Sequence, residues 1–182
     1  MKRLLVVILL FGALIPLFPQ NLNQLEIENE YYGLKWGCSP TELKTKYPLA
    51  YANGTNKNGD VLYYLDTNDA TRIFFFGNNK LYIGRIAYAD CSDEKLLALM
   101  KKITDTYGKF DDSSKGSQSG NEYVTFIKQL SPKVRIEFQV TSVKNSYGRT
   151  VSQEVFITYI HNELSAAIAR ERINKMQDDL EL

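Results

Sequence analysis

This sequence of 182 residues contains three side chains that could form a thiol–imidazole catalytic pair or bind a soft metal ion: Cys38, Cys91 and His161. They are its only cysteines and its only histidine, which is too few for the tetrahedral ligand set of a structural zinc site. A cysteine–histidine catalytic pair would need an activated thiolate. His161 stands between a predicted strand and a predicted helix, where a lone histidine is more often structural. The sequence therefore predicts no catalytic residue, no metal site and no cofactor.

The two cysteines allow another chemistry, a disulfide. In an oxidising compartment Cys38 and Cys91 could pair, and in the chain-entropy model the bond would stabilise the fold by about 4 kcal/mol. Alternatively, each cysteine is a small buried residue that packs behind a helix cap. The sequence leaves both alternatives open.

Charge and composition exclude further classes. Lys and Arg number 22 and Asp and Glu number 21, so the formal net charge is +1, without the basic excess of a nucleic-acid-binding domain. Hydrophobic residues make up 44% and charged residues 24%, which is typical of a globular chain. The adjacent carboxylates Asp93–Glu94 and Asp111–Asp112 have ordinary explanations, as a helix start and a polar loop. We therefore predict a non-enzymatic protein that binds no nucleic acid.

The first twenty residues are typical of an export signal. Lys2 and Arg3 precede the uncharged apolar run Leu4–Ile15, and Pro16 and Pro19 follow it. The run is too short to span a bilayer, which takes about 20 helical residues, but it has the length of a signal-peptide core. We predict a signal peptide at 1–20 that leaves no stable membrane span after cleavage, with an uncleaved anchor as the alternative. The predicted location is periplasmic or secreted, in a bacterium.

A polar, flexible segment is predicted at 21–30. The helices and strands that would position any functional side chain follow it. Helices are predicted after the caps Ser39 and Ser92 and at Asn162. The last helix has a narrow apolar stripe, so it either packs on the sheet of its own chain or pairs with another chain. A flexible surface loop is predicted at 111–120. Six strands are predicted, at 61–66, 72–76, 80–89, 122–130, 133–143 and 153–160.

This order of elements predicts an α+β fold with an internal repeat. A cysteine directly precedes the serine cap of both internal helices, and three strands follow each helix. We predict two αβββ units with antiparallel sheets packed under helices, one at 31–90 and one at 91–182, the second including the C-terminal helix.

The segment from Gly33 to Leu43 carries a resemblance. Its G-x-x-W-G-x-S-x-x-E-hydrophobic pattern is similar to the opening of many small exported bacterial domains. With the predicted helices and three-stranded units, the chain resembles the SmpA/OmlA (BamE-like) domains and the tandem β-lactamase-inhibitor-protein fold. The resemblance implies an exported α+β domain, and it transfers no contact residue of the inhibitor family to this sequence.

The candidate binding surface comes from strand patterning. In the strand at 133–143 polar residues alternate with buried apolar ones, which predicts one solvated face carrying Arg135, Glu137 and Gln139. The tyrosines of the first unit, Tyr63, Tyr64 and Tyr82, are the other candidates for contact with a partner.

These surfaces favour an exported binding or assembly protein of the bacterial cell envelope, whose partner is another envelope protein. The alternatives are a secreted inhibitor of an extracellular enzyme and, third, a cell-envelope hydrolase. The sequence specifies no oligomeric state.

Overall fold

The structure is a computed structural model that describes residues 26–145, 147 and 149–180. The predicted signal peptide at 1–20 lies outside the described residues. Within them, no helix combines the length and apolar character needed to cross a membrane.

A small hairpin begins the described chain. Residues 26–29 form a helical turn, and β1 (Glu30–Tyr31) pairs antiparallel with β2 (Leu34–Lys35). Part of the segment that the sequence predicts to be flexible is thus structured. The indole of Trp36 links the end of the hairpin to the helical turn before it, because its Nε1 donates a 2.8 Å hydrogen bond to the carbonyl oxygen of Ile27.

The first helix follows the predicted capping pattern. Helix α1 (Pro40–Lys46) begins after Ser39, whose hydroxyl accepts a hydrogen bond from the backbone N–H of Glu42. The carboxylate of Glu42 accepts one in return from the backbone N–H of Ser39, which completes a capping box. The helix ends at Tyr47, because the following Pro48 disfavours helical geometry in the residue before it.

Four strands follow α1, one more than predicted. They are β3 (Tyr51–Thr55), β4 (Val61–Asp66), β5 (Thr71–Gly77) and β6 (Lys80–Tyr88). The predicted tight turn joins β5 to β6, where Gly77 pairs with Lys80 and Asn78 and Asn79 both have positive φ. Two central residues of positive φ define the turn type that matches strand twist.

Four strands also follow helix α2 (Asp93–Tyr107), which Ser92 caps as predicted. They are β7 (Asp112–Gln118), β8 (Asn121–Gln129), β9 (Val134–Lys144) and β10 (Thr150–His161), and α3 (Asn162–Leu180) closes the fold. The prediction of a loop at 111–120 is wrong, because β7 occupies most of it. Its Ser- and Gly-rich residues form a strand through their pairing with β8.

The eight strands β3 to β10 form one antiparallel sheet in the order β3-β4-β5-β6-β10-β9-β8-β7. The four strands of each half are neighbours in sequence, and the pair β6–β10 joins the halves. The fold is therefore α+β with an antiparallel sheet and a C-terminal helix, as predicted.

Helices cover both faces of the sheet, though unequally. The N-terminal hairpin, α1 and α2 contribute to the main core on one face, where Phe74, Phe138 and Val155 are fully buried. On the other face, Ile168 of α3 packs against a smaller cluster with Phe75. The closing helix therefore packs on its own chain.

Candidate functional site

One part of the sheet is the candidate site, and we call it the open face. It lies on the side opposite α1 and α2, beyond the cluster that α3 covers. Residues that pair across neighbouring strands point to the same face, so the strand register defines its members. They are the polar and aromatic residues Arg85, Tyr123, Thr125, Arg135, Glu137, Gln139, Thr141, Glu154, Phe156 and Thr158.

Arg85 lies at the centre of the sheet, at the junction of its two halves. It is opposite Thr158 of β10, which is opposite Glu137 of β9. Its Nε donates a 3.0 Å hydrogen bond to Oγ1 of Thr158, and its guanidinium lies 5.2 and 5.4 Å from the ring centroids of Phe75 and Phe156. Burial lowers the pKa of Arg85, and the charge of Glu137 opposes this. Arginine titrates so far above neutrality that the side chain keeps its charge.

The three polar residues predicted on β9 lie together on this face. Nε of Arg135 contacts Oε1 of Glu137 at 3.0 Å, and Nη1 of Arg135 donates to Oδ1 of Asn162 at the start of α3. Nε2 of Gln139 donates to Oγ1 of Thr141 at 3.3 Å. Each side chain is half-buried and hydrogen-bonded to a neighbour, so contacts within the protein hold these three groups in place.

A hollow of about 360 Å³ lies within the open face. Its lining mixes charged, amide, hydroxyl and aromatic groups, among them Arg85, Tyr123, Gln139, Thr141, Glu154 and Phe156. Such a surface can accept a protruding side chain that offers both an apolar body and a polar end.

The three predicted tyrosines do not join this surface. Tyr63 points to the α1 and α2 side, where its ring lies edge-on to Phe76 at 5.5 Å. Tyr64 is on the same sheet face as Arg85 but stacks on Tyr51 of the edge strand β3 at 6.0 Å. Tyr82 is only 4% exposed.

Tyr82 is buried at a bulge of β6, in the cluster that Ile168 of α3 joins. The pairing of β5 with β6 is irregular at this point, since Phe75 pairs with Ile83 and Phe76 with Leu81. Tyr82 is the extra residue of this bulge, which interrupts strict alternation. Its hydroxyl donates a 2.8 Å hydrogen bond to the buried carboxylate of Asp60.

Sequence patterning missed Arg85 and Phe156, the residues at the centre of the open face. Thr158 and Arg85 are 73 residues apart in sequence, and only the pairing of β6 with β10 brings them together. Ile83, Arg85 and Ala87 are alternate residues of β6 that all follow the bulge. Strict alternation over this part of the strand would therefore place Arg85 on the same face as Ile83 and Ala87.

Both cysteines are buried free thiols. The structure therefore agrees with the prediction that each cysteine is a small buried residue, and the Cys38–Cys91 disulfide is not formed in it. Burial raises the pKa of Cys38 to about 11 and raises that of Cys91. Protonated, buried thiols are poor nucleophiles.

His161 has a structural role at the start of α3. Its Nδ1 accepts a 3.3 Å hydrogen bond from the backbone N–H of Leu164, in the way an N-cap side chain does. The predicted cap, Asn162, lies one residue too far along, and its Nδ2 donates instead to the carbonyl oxygen of Pro132. Burial lowers the pKa of His161, which favours the neutral ring that can accept this bond.

Among the described residues, no group of three or more His, Cys, Asp or Glu side chains is placed to hold a metal ion. No protein-family model matches the chain, and no curated protein or solved structure shows significant similarity to it.

Proposed function

We propose that this chain is an exported, non-enzymatic binding or assembly protein of the bacterial cell envelope, which contacts another envelope protein through the open face. The observation that carries the proposal is the uncovered part of the sheet across β6, β10, β9 and β8. Export rests on the charged and apolar pattern of residues 1–20.

The composition of the open face supports a protein partner. Arginine and aromatic side chains are enriched at the centres of protein interfaces, and here Arg85 and Phe156 lie in contact at the centre of the surface. The side chains stand on strands and hydrogen-bond to one another, so little conformational entropy would be lost on binding.

The state of the reactive side chains supports a non-enzymatic role. The thiols of Cys38 and Cys91 are buried with raised pKa values, and His161 is engaged as a helix cap. The carboxylate of Glu137 is paired with Arg135. A hydrolase would need a nucleophile or base that faces its substrate.

We also propose that the chain contains a duplicated unit of one helix followed by strands. In support, α1 and α2 both follow a Cys-Ser cap, and four antiparallel strands follow each helix. The similarity to SmpA/OmlA (BamE-like) domains and to tandem β-lactamase-inhibitor proteins belongs to this proposal.

Site-specific photocrosslinking in the native envelope tests the open face. A photoreactive residue replaces Gln139 or Thr125 on the open face, or Thr45 on the exposed side of α1 as the matched control. We expect Gln139 and Thr125 to crosslink to the same envelope protein and Thr45 not to. Excess purified wild-type protein should suppress the crosslink, and the Arg85→Gln variant should suppress it less.

Two outcomes would contradict the proposal. Crosslinking from Gln139 no stronger than from Thr45 would remove the open face as the contact surface. Recovery of the whole chain from the cytoplasm after fractionation would remove export. If the crosslinked partner is an extracellular enzyme whose turnover stops on binding, the inhibitor alternative replaces the assembly role.

A further inference from the structure

A second hollow lies on the opposite side of the sheet, between the N-terminal hairpin and α2, and has a volume of about 210 Å³. Tyr31 forms one wall, and its ring lies directly on the backbone of Gly84. A Cβ atom on Gly84 would come within 2.3 Å of that ring. The absence of a side chain at this position therefore lets Tyr31 rest on the sheet and leaves the hollow beside it.

Two residues that line this hollow carry buried hydrogen-bond donors that lack partners among the described residues. The hydroxyl of Tyr31 and Nε of Arg72 are buried, and neither has a hydrogen-bond partner in the part of the chain that the structure describes. Tyr31 is 3% exposed, and burial raises its pKa well above the usual value, so the hydroxyl keeps its proton. Nε of arginine can only donate. Both groups are therefore donors without an acceptor in the described part of the chain.

Arg72 has no ion-pair partner among the described residues. Its guanidinium lies 4.1 Å from the centroid of the Tyr32 ring, and Nη1 donates a 3.3 Å hydrogen bond to Oγ1 of Thr67. Within the described residues no carboxylate forms an ion pair with Arg72. The two groups in direct contact with the guanidinium are therefore neutral, and a carboxylate that enters the hollow can pair with it.

The first hollow is larger than a single water needs. A single water requires only about 10–15 Å³ of such volume. A neighbouring hollow of about 280 Å³ shares Ile86, Tyr107 and Tyr159 with the first. Its further lining under α2 includes the apolar side chains Leu99, Ile103 and Ile157.

We propose that these hollows bind a small amphipathic carboxylate. Its carboxylate oxygens accept hydrogen bonds from Nε of Arg72 and the hydroxyl of Tyr31, and its apolar part lies against Ile86, Tyr107 and Tyr159. Glu26 and Glu30 also line the first hollow. Their negative charges repel any anion, and they repel a doubly charged phosphate more strongly than a singly charged carboxylate.

Calorimetric titration of the full chain tests the head group. The probes are octanoate and 3-phenylpropanoate, each with its alcohol and amine analogue, and inorganic phosphate. We expect both carboxylates to bind with a dissociation constant below about 1 mM, the alcohols at least tenfold more weakly, and the amines and phosphate without measurable heat. Trp36, the only tryptophan, stacks on Tyr31 at 5.9 Å, so its emission should change with the same midpoint.

Two variants and a control assign the site. Arg72→Gln should weaken octanoate at least tenfold and leave 1-octanol unchanged, whereas Arg170→Gln on the exposed side of α3 should change neither. Tyr31→Phe should weaken octanoate threefold or more while raising the thermal midpoint of the unliganded protein, because it removes an unpartnered buried hydroxyl. A hydroxyl with only a structural role would lower that midpoint.

Equal affinity for the carboxylates and their amine or alcohol analogues would overturn the proposal. So would octanoate binding that survives both Arg72→Gln and Tyr31→Phe, or the absence of binding by both carboxylates at millimolar concentration. Neither residue lies on the open face, so these results leave the proposed protein contact untouched.

Discussion

Replacing Arg172 with methionine should loosen the attachment of α3 to the sheet. Asp60 is 1% exposed, and three side chains contact its carboxylate. Asn56 and Tyr82 each donate a 2.8 Å hydrogen bond to Oδ2, while Nη2 of Arg172 contacts Oδ1. The methionine variant would leave Oδ1 without its donor and the buried charge without its counterion.

The expected loss lies between two limits. Breaking a fully buried ion pair costs about 3–5 kcal/mol, whereas an exposed pair contributes about 0–1 kcal/mol. The side chain of Arg172 is 25% exposed, so water can partly replace it beside Asp60. We expect Arg172→Met to lower the free energy of unfolding by about 2 kcal/mol. For a small domain this corresponds to a fall of about 1 M in the urea midpoint.

Equilibrium urea unfolding checks the value, with Arg170→Met as the matched control. Arg170 is exposed on the same helix and donates to the backbone oxygen of Ala166, so its replacement should change stability by less than about 0.5 kcal/mol. In an Asp60→Asn background, Arg172→Met should lower the free energy of unfolding by at most about 1 kcal/mol, because the buried carboxylate charge is already absent. Equal losses in the two backgrounds, or a loss below about 0.5 kcal/mol in the natural one, would refute the reasoning.

Three further predictions concern the cap, the sheet and its edge. Burial lowers the pKa of His161, so the folded state binds fewer protons than the unfolded state. The stability from this group is therefore complete above about pH 6.5 and is lost as pH falls through the folded pKa. His161→Asn keeps a cap acceptor that does not titrate, so urea midpoints measured from pH 7 to 5 should fall less than in the natural protein; parallel curves would contradict this. Gly84→Ala should lower the free energy of unfolding, measured in urea, by about 2 kcal/mol, because the new Cβ would lie 2.3 Å from the ring of Tyr31. An unchanged urea midpoint would contradict that packing. Deleting residues 112–118 removes β7 and uncovers β8, so light scattering should show self-association that rises with concentration. The same oligomeric state as the full chain at every concentration would contradict this.

Local chemistry in the sequence was sufficient to predict the starts of two helices and one turn. The capping serines Ser39 and Ser92 act through backbone N–H groups within three residues. The turn at Asn78–Asn79 needs only residues that tolerate positive φ. These features depend on near neighbours, and the structure confirms them.

The edge strands β3 and β7 could not be predicted in this way. The sequence Asp112–Gln118 contains no large apolar residue, and most of the strand is exposed. It forms a strand because β8 offers a free row of hydrogen-bonding groups, a tertiary cause that overrides the intrinsic preference of serine and glycine for loops.

The open face shows the same division between local and distant causes. Regular alternation in β9 placed Arg135, Glu137 and Gln139 on one face. Arg85 joins them only because β6 pairs with β10, and the bulge between β5 and β6 turns Tyr82 into the cluster that α3 covers. Patterning within one strand reveals neither interaction.

The junction of β6 with β10 has a consequence for how the chain assembles. In the described part of the sheet, every other neighbouring pair of strands is consecutive in sequence, so those pairs close short loops at small entropic cost. The β6–β10 pair closes a much longer loop, and we expect it to form late. Until β10 arrives, the edge of β6 is open to the β10 of a second copy, and an exchange of β7 to α3 between two molecules would recreate the same junction in a domain-swapped dimer.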